Sequence, residues 1–264
     1  MKEKAGSNSA CKKSIMSKKI KLADISTSPK EKITKEEALE ASKKLSRELA
    51  EIQNKLYAQK KYDVLIILQG MDASGKDSAV KHVFSGVNPA GCRVKSFKAP
   101  TEEELAHHFL WRISKECPEK GMIQIFNRSQ YEDILVPTVE KLADDKLIKA
   151  RCEEINCFEA GLVRNNTILM KFYLHISHDK QVEKLQERKT NEYKRWKYQK
   201  EDIAAISKHD EFAKVYEDIF DRCSEAAPWK IIPADKKWYK NYAILNEIVQ
   251  ELEKYEIHFP KVDL

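Results

Sequence analysis

The chain has 264 residues, of which 42% are hydrophobic and 34% are charged, so it holds enough apolar material for one sizeable core. It contains neither an apolar run of the roughly 20 residues that a membrane-spanning helix needs nor the apolar stretch of a secretory signal peptide, which predicts a cytoplasmic protein without a membrane partner. The six cysteines are scattered without a CxxC pair, so they are predicted to be reduced thiols rather than zinc ligands.

The first predicted element is a basic segment at the N-terminus. Residues 1–34 contain nine Lys against three acidic residues, so this segment accounts for the whole net charge of +6. Residues 1–30 show no helical or strand periodicity and are predicted to form a flexible basic arm, with one folded domain over residues 31–264. The alternative for this segment is an arm that binds nucleic acid or a membrane surface.

A long amphipathic helix and a buried strand follow the arm. The helix is predicted over residues 34–59 and opens with a capping box formed by Thr34 and Glu37. Its predicted buried face carries Ala38, Leu39, Leu45, Leu49, Ile52 and Leu56. Residues 64–69, VLIILQ, form a continuous apolar run, which is typical of a parallel strand that is covered on both faces.

Strands and helices then alternate towards the C-terminus. Further apolar runs of strand length occupy residues 92–97, 122–127, 167–177 and 229–234. Helical patterns occupy residues 75–84, 102–117, 130–142, 151–163, 180–188, 210–223 and 236–254. This alternation predicts an α/β fold with an open parallel sheet and helices on both of its faces.

The strongest chemical signal is LQGMDASGKDS, residues 68–78, directly after the first strand. Gly70, Gly75 and Lys76 have the spacing of a Walker A loop, in which backbone N–H groups and a helix N-terminus bind phosphate. Asp77 stands where a hydroxyl usually binds Mg²⁺. Because a strand precedes the loop and a helix follows it, we predict a phosphate-binding loop. A purely structural strand-to-helix turn is the alternative.

Asp72 is an acidic residue inside this predicted phosphate-binding loop. Its carboxylate would repel bound phosphates unless a cation lay between them, so the residue is a candidate magnesium ligand. The alternative is a structural aspartate, either solvated in the loop or capping the N-terminus of the following helix.

A second group of polar residues follows the third strand, in IFNRSQYEDILV, residues 125–136. Ligands bind at the carboxyl ends of strands in doubly wound sheets, so Asn127, Arg128, Glu132 and Asp133 are predicted to reach the phosphate loop. Arg128 would bind phosphoryl oxygens, and Glu132 or Asp133 would bind a metal ion or orient an acceptor phosphate. The alternative is the exposed, charged start of a helix.

A basic cluster occupies residues 184–200, with seven basic residues against two acidic ones. Enzymes that transfer phosphate need a mobile cationic flap that excludes water, so we predict a helical basic lid over about residues 180–205. Its candidate cations are Arg188, Lys194, Arg195 and Lys197. The alternative is the solvated basic face of a helix.

Six motifs together resemble the polyphosphate kinase 2 family. They occur in the family's order over about residues 21–251 and are GMDASGKD (70–77), HVFSGVNPAGCRVKSFKAPTEEEL (82–105), FLWR (109–112), NRSQYED (127–133), RWK (195–197) and APWKIIPADKKW (227–238). Three positions depart from the family pattern. His108 stands where an acidic residue is usual, Ser78 where Gly is common, and Phe212 where Trp is frequent.

The resemblance implies a thymidylate-kinase-like P-loop fold that transfers phosphate reversibly between inorganic polyphosphate and nucleotides, with Mg²⁺ or Mn²⁺. On this basis we predict catalytic roles for Asp72, Lys76, Arg128, Glu132 and Arg188, with Asp72 and Glu132 as metal ligands. Predicted nucleotide or phosphate contacts involve Gly70, Ala73, Ser74, Gly75, Lys76, Asp77, Asn127 and Asp133. Predicted polyphosphate contacts involve Lys81, Lys98, Arg112, Arg128, Arg188, Lys194 and Lys197. The resemblance also implies a homodimer or homotetramer.

The second motif separates the groups of this family by acceptor. Members that favour nucleoside diphosphates typically show DRSWYNR, whereas NRSQYED is similar to the group that accepts monophosphates, or both monophosphates and diphosphates. We therefore favour the class that acts on both nucleoside monophosphates and diphosphates, predict AMP, ADP and ATP as nucleotide partners and leave guanine nucleotides open. Two rival interpretations remain, namely a nucleoside monophosphate kinase that uses ATP as its donor and a basic nucleic-acid-binding module, which leaves the loop unexplained.

Overall fold

The computed structural model describes residues 19–29, 33–193, 195–197 and 206–261. Its centre is a five-stranded parallel sheet in the order β2-β3-β1-β4-β5. The strands are β1 (Asp63–Gln69), β2 (Cys92–Ser96), β3 (Ile123–Asn127), β4 (Thr167–His175) and β5 (Trp229–Pro233). Every residue of β1, β3 and β4 is buried, because these apolar strands are covered on both faces. The predicted parallel sheet is confirmed.

The order of the strands places a switch point beside β1. The chain crosses from β1 past β3 to β2, and it later crosses from β3 past β1 to β4 in the opposite direction. Right-handed crossovers in opposite directions put the connecting helices on opposite faces of the sheet. Ligands of such folds bind outside the carboxyl ends of the strands at this point, where the chain leaves β1 at Gln69 and β3 at Asn127.

Helices flank the sheet. Those of the described residues are α1 (Lys35–Gln59), α2 (Lys76–Val83), α3 (Glu102–Ala106), α4 (Trp111–Ser114), α5 (Glu132–Val139), α6 (Asp145–Arg164), α7 (His178–Thr190), α8 (His209–Arg222) and α9 (Lys237–Leu252). α9 packs against α1 and α2, and α5 packs against α6 and α8. None of these helices is both long enough and apolar enough to cross a membrane.

Helix α1 begins at the predicted capping box. Thr34 Oγ1 accepts a hydrogen bond from Glu37 N (3.2 Å), and Glu37 Oε2 accepts one from Thr34 N (2.8 Å). Ala38 is buried as predicted, whereas Leu39 is 46% exposed and the prediction that it faces the core is wrong. Successive helical residues are rotated by about 100°, so Leu39 turns away from the face that buries Ala38.

Two predicted helices differ from the structure by more than a few residues at their ends. Residues 102–117 form two short helices rather than one, because His107 has an extended backbone (φ −106°, ψ 167°) that ends α3. α6 begins at Asp145 rather than at residue 151, because Asp144 caps it. Asp144 Oδ1 accepts a hydrogen bond from Leu147 N (2.7 Å), and an aspartate before a helical pattern is a start signal.

Residues 19–29 pack against the domain. The N–H of Leu22 donates to Glu217 Oε1 (2.8 Å), and the side chain of Leu22 is buried. Thr27 Oγ1 donates to Asp235 Oδ2 (2.7 Å). These residues of the predicted arm therefore belong to the packed domain, and the rest of that arm, residues 1–18 and 30, lies outside the described part of the chain.

Candidate active site

The predicted phosphate loop connects β1 to α2 at the switch point. Gly70 has φ +149° and Gly75 has φ +93°, which residues with a side chain rarely adopt. A Cβ atom at Gly70 would also lie 2.8 Å from Leu174 O. Ser74 between them is buried, and its N–H donates to Met71 O (3.1 Å). The backbone therefore requires both glycines of the motif.

Lys76 is the first residue of α2 and folds back across the loop. Its Nζ donates to Gly70 O (2.6 Å) and to Met71 O (3.2 Å), and the residue is 9% exposed. Burial, and then the positive charge of Arg128, lower the pKa of Lys76 to about 8. An ammonium group in this setting would be stabilised by an anionic ligand.

Arg128 joins the two motifs. It follows β3 directly and has the left-handed backbone conformation (φ +64°), which is unusual for a residue with a side chain. Its Nη2 donates to Asp72 Oδ1 (2.7 Å), and its Nη1 lies 3.8 Å from Glu132 Oε2. The structure therefore brings Asp72, Arg128 and Glu132 together at the carboxyl end of β1, as the sequence predicts.

Glu132 is the first residue of α5 and is largely buried. Burial raises the pKa of its carboxyl group, whereas the positive charges of Arg128 and Lys76 lower it. In the amide orientation that satisfies all of its neighbours, Gln69 donates to Glu132 Oε1 (3.1 Å). One carboxylate oxygen of Glu132 thus lies near Arg128 and the other accepts from Gln69.

A cleft of about 70 Å³ lies beside these residues. Its lining includes the charged residues Asp72, Arg128 and Glu132 and the apolar side chains of Leu135 and Phe212. The cleft therefore offers charge for an anionic group next to apolar surface.

Asp72 and Glu132 fit the predicted metal site in their ligand chemistry. Mg²⁺ and Mn²⁺ prefer oxygen ligands, and Mg²⁺ is usually held by one or two carboxylates together with phosphate oxygens and water. Both carboxylates lie at Arg128, and no cluster of three or more metal-ligating side chains occurs among the described residues. The protein thus provides two carboxylates, and the remaining ligands would come from substrate and water.

Three further hydrogen bonds involve other residues of the predicted site. Asn127 Nδ2 donates to Asp77 Oδ1 (2.8 Å), which ties the end of β3 to the start of α2. Arg112 Nη2 donates to Asp133 Oδ2 (3.1 Å), and its Nη1 donates to Lys98 O (3.0 Å). Arg112 is only 6% exposed, so it connects the segments of Lys98 and Asp133 from within the protein. The ligand contacts of this group stay predictions.

The cations predicted to bind polyphosphate lie at different depths. Lys81 and Lys98 are exposed, and Arg188 in α7 is partly buried. Lys194 lies outside the described residues, as does the side chain of Lys197, whose backbone lies in a short 3-10 turn. The predicted lid is thus described only in part, and its role stays a prediction.

A buried ion pair lies behind the Arg128 segment and was not predicted from the sequence. Lys171 Nζ in β4 donates to Glu159 Oε2 in α6 (2.6 Å), and both side chains are fully buried. Glu159 Oε1 accepts from Gln130 Nε2 (2.9 Å) and from Tyr131 OH (2.6 Å). These bonds anchor two of the three residues between Arg128 and Glu132.

Sequence reasoning also missed two lysine contacts at the phosphate loop. Lys184 Nζ in α7 donates to Ala73 O (3.3 Å), and Lys240 Nζ in α9 donates to Gly75 O (2.7 Å). Lys240 is 1% exposed among the buried positions of α9. A lysine at a core position of an amphipathic helix is the sequence signal that points to it, because lysines are seldom fully buried.

Comparisons with known proteins identify relatives of this chain. The family described as polyphosphate kinase 2 (PPK2) matches residues 32–260. An AMP/ADP-polyphosphate phosphotransferase of Meiothermus ruber is 44% identical over 228 residues, which are 86% of this chain and 85% of that protein. An ADP-polyphosphate phosphotransferase of Rhodopseudomonas palustris is 36% identical over 81% of this chain and 78% of its own length.

A solved structure shares the fold. The crystal structure of polyphosphate kinase 2 from Arthrobacter aurescens TC1 matches with a TM-score of 0.90 and 36% sequence identity, over 93% of this chain and 89% of that chain. This match confirms the predicted P-loop kinase-like α/β fold. On sequence, motif order and fold together, the chain belongs to the polyphosphate kinase 2 family.

Proposed function

We propose that this chain transfers a phosphoryl group reversibly between inorganic polyphosphate and the nucleotides AMP and ADP. The observation that carries the proposal is the convergence of Lys76, Arg128, Asp72 and Glu132 at a Walker A loop. Cations and loop amides suit phosphate oxygens, and two carboxylates suit the metal ion that phosphoryl transfer uses. Membership of a kinase family agrees with this chemistry.

The reaction requires the protein to hold two polyanions end to end. Phosphoryl transfer passes through a loose, in-line transition state, so positioning and charge neutralisation supply most of the catalysis. Lys76 and the loop amides bind the transferred phosphoryl group. Arg128 neutralises the charge on the oxygens between which the group moves. No covalent intermediate with the enzyme is needed.

Mg²⁺, or Mn²⁺ in its place, belongs to the proposed site. Asp72 and Glu132 would hold the ion, which supplies positive charge to phosphate oxygens during the transfer. Because burial raises the pKa of Glu132, a bound cation would also favour the ionised form of this carboxylate.

Polyphosphate is proposed to extend from the loop along basic residues. Lys81 and Lys98 are exposed and available to phosphate oxygens, and the partly buried Arg188 lies in α7, within the predicted lid. Lys194 and Lys197 would contribute from the remainder of the lid. The buried Arg112 would hold the backbone of Lys98 in place through its hydrogen bond to Lys98 O.

The second motif supports acceptors of two lengths. NRSQYED resembles the group of the family that handles monophosphates, or both monophosphates and diphosphates. The Meiothermus ruber relative is named for AMP and ADP, and the Rhodopseudomonas palustris relative is named for ADP. We therefore assign both AMP and ADP as acceptors, with ATP as the donor in the reverse direction.

A donor test decides between this function and an ATP-dependent nucleoside monophosphate kinase. With long-chain polyphosphate as the only donor and Mg²⁺ present, AMP is expected to give ADP, and ADP is expected to give ATP, both read by chromatography. EDTA is expected to stop both reactions. Product from AMP and ATP, with none from polyphosphate, would support the rival kinase instead.

The lowered pKa of Lys76 predicts a pH dependence. Only the ammonium form attracts phosphate oxygens, and kcat/KM reports the ionisation of the free enzyme. Since the pKa of Lys76 is about 8, kcat/KM for polyphosphate is expected to fall as the pH rises through that value, by about tenfold per pH unit beyond it. Initial rates from pH 6 to 10 at constant ionic strength test this, and a flat profile up to pH 9.5 would contradict it.

Two properties of the whole protein are proposed from the sequence alone. The chain is proposed to form a homodimer or homotetramer and to work in the cytoplasm. Light scattering on the purified protein measures the first property, and a single-chain mass across the working concentration range would refute it.

A further inference from the structure

Three lysine side chains hold the carbonyl groups of the phosphate loop. Lys76 Nζ spans the start of the loop, Lys184 Nζ donates to Ala73 O (3.3 Å), and Lys240 Nζ donates to Gly75 O (2.7 Å). Lys76 belongs to the motif itself, whereas the other two come from α7 and α9. The loop is therefore clamped by two helices that lie far from it in the sequence.

The contact at Gly75 has a geometric consequence for the next residue. In a trans peptide unit the C=O and N–H bonds point in opposite directions. When Lys240 holds Gly75 O on its side of the loop, the N–H of Lys76 points to the other side. Gly75 has φ +93°, so this peptide unit is set by an uncommon backbone conformation that a tertiary contact supports. Gly75 O also accepts a hydrogen bond from Ala79 N in the first turn of α2 (3.0 Å), so Lys240 and this helical bond together orient the peptide group from which Lys76 and α2 begin.

Burial and charge argue that Lys240 is more than a packing residue. It is 1% exposed, and burial, followed by the positive charges of Lys184, Lys237 and Lys76, lowers its pKa to about 7. Asp77 is the neighbouring acid that opposes this shift. A buried ammonium group among like charges opposes folding, and an apolar side chain of similar volume would be tolerated better. Such a residue is expected where a polyanion binds.

We propose that Lys240 is a positioning residue for phosphoryl transfer, which holds the Gly75 peptide in its phosphate-binding orientation and places positive charge behind the loop. Lys184 supports the same loop at Ala73. This proposal rests on the proposed function. It adds a residue from the C-terminal helix, 165 positions from its partner in the sequence, to the machinery that binds the transferred group.

Lys240→Met tests the proposal, with Lys240→Arg as the conservative variant and Lys149→Met as the control. Lys149 is an exposed lysine of α6. Misplacement of a loop that orients reacting groups costs about 10²-fold in rate, so Lys240→Met is expected to lower kcat by about 10–100-fold at saturating substrates. Lys240→Arg is expected to recover part of that loss, and Lys149→Met to stay within about twofold of wild type, the usual scale for surface changes.

Stability and binding separate a positioning role from a merely structural one. The melting temperature of Lys240→Met is expected to equal or exceed that of wild type, because a buried charge is removed. Binding of tripolyphosphate by calorimetry is expected to weaken less than kcat falls. Unchanged kcat in Lys240→Met would overturn the proposal. An equal loss of kcat in Lys240→Met and Lys240→Arg, together with a lowered melting temperature of Lys240→Met, would overturn it as well. If Lys240→Met did not fold, Lys240→Gln would carry the same measurements.

A failure of the proposed function can be distinguished from a failure of the role proposed for Lys240. A wild-type enzyme that forms no product from polyphosphate would refute the proposed function. A wild-type enzyme that is active, with a Lys240→Met variant equally active, would refute only the role of Lys240.

Discussion

Lys76→Met is expected to lower kcat for polyphosphate-dependent ATP formation by about 10³-fold. The ammonium group of Lys76 lies over the start of the loop, bonded to Gly70 O and Met71 O, and it is the cation built into the phosphate-binding motif itself. Loss of one preorganised charge at a phosphoryl or oxyanion site costs about 10²–10³-fold, and a site that must bring two polyanions together depends strongly on such a charge. Initial rates with saturating ADP and polyphosphate measure the effect.

The fold is expected to survive this substitution. Burial lowers the pKa of Lys76, so the charged side chain disfavours the folded state, and Met fills a similar volume without a charge. The melting temperature of Lys76→Met should therefore equal or exceed that of wild type. Lys149→Met, at an exposed lysine of α6, is the matched control and should leave kcat unchanged. Near-normal turnover in Lys76→Met would refute the assigned role.

Arg128→Ala is expected to give the second large loss, about 10²–10³-fold in kcat. Its guanidinium contacts Asp72 in the loop and lies near Glu132 in α5. Its removal therefore takes away the proposed phosphate ligand and leaves the two carboxylates close together, with Lys76 as the remaining cation that acts on Glu132. Their mutual repulsion would raise the pKa of Glu132 further, in the direction in which burial already shifts it.

A double-mutant cycle tests whether Arg128 and Asp72 act as one unit. Asp72→Asn alone is expected to lower kcat because it removes a proposed metal ligand. Arg128→Ala combined with Asp72→Asn should lose much less than the product of the two single effects, since residues that act together are not additive. Losses that multiply would show that the two side chains act independently and would contradict the arrangement described above.

The fold was largely predictable because its strands are buried on both faces. Such strands are continuous apolar runs, and β1 and β4 therefore appear in the sequence without ambiguity. The helix over residues 102–117 was not predicted correctly, because one extended residue, His107, interrupts a favourable helical pattern. A helix is predicted from propensities summed over many residues, so one residue with an extended backbone changes that sum very little.

The candidate site was predictable where its residues lie within motifs. Asp72 and Lys76 share the loop, and Arg128 and Glu132 lie at the end of a strand that the doubly wound topology brings to the same edge. The contact between Lys240 and Gly75 was not predictable, because it depends on the packing of α9 beside α2. The same holds for Lys171, whose partner Glu159 lies on another element.

A crystal structure of the protein with polyphosphate and Mg²⁺ tests the central claim most directly. The terminal phosphate is expected within hydrogen-bonding distance of the loop N–H groups before α2, with Lys76 Nζ and the Arg128 guanidinium on its oxygens. Polyphosphate bound at another surface, with no phosphate density at the loop, would contradict the account.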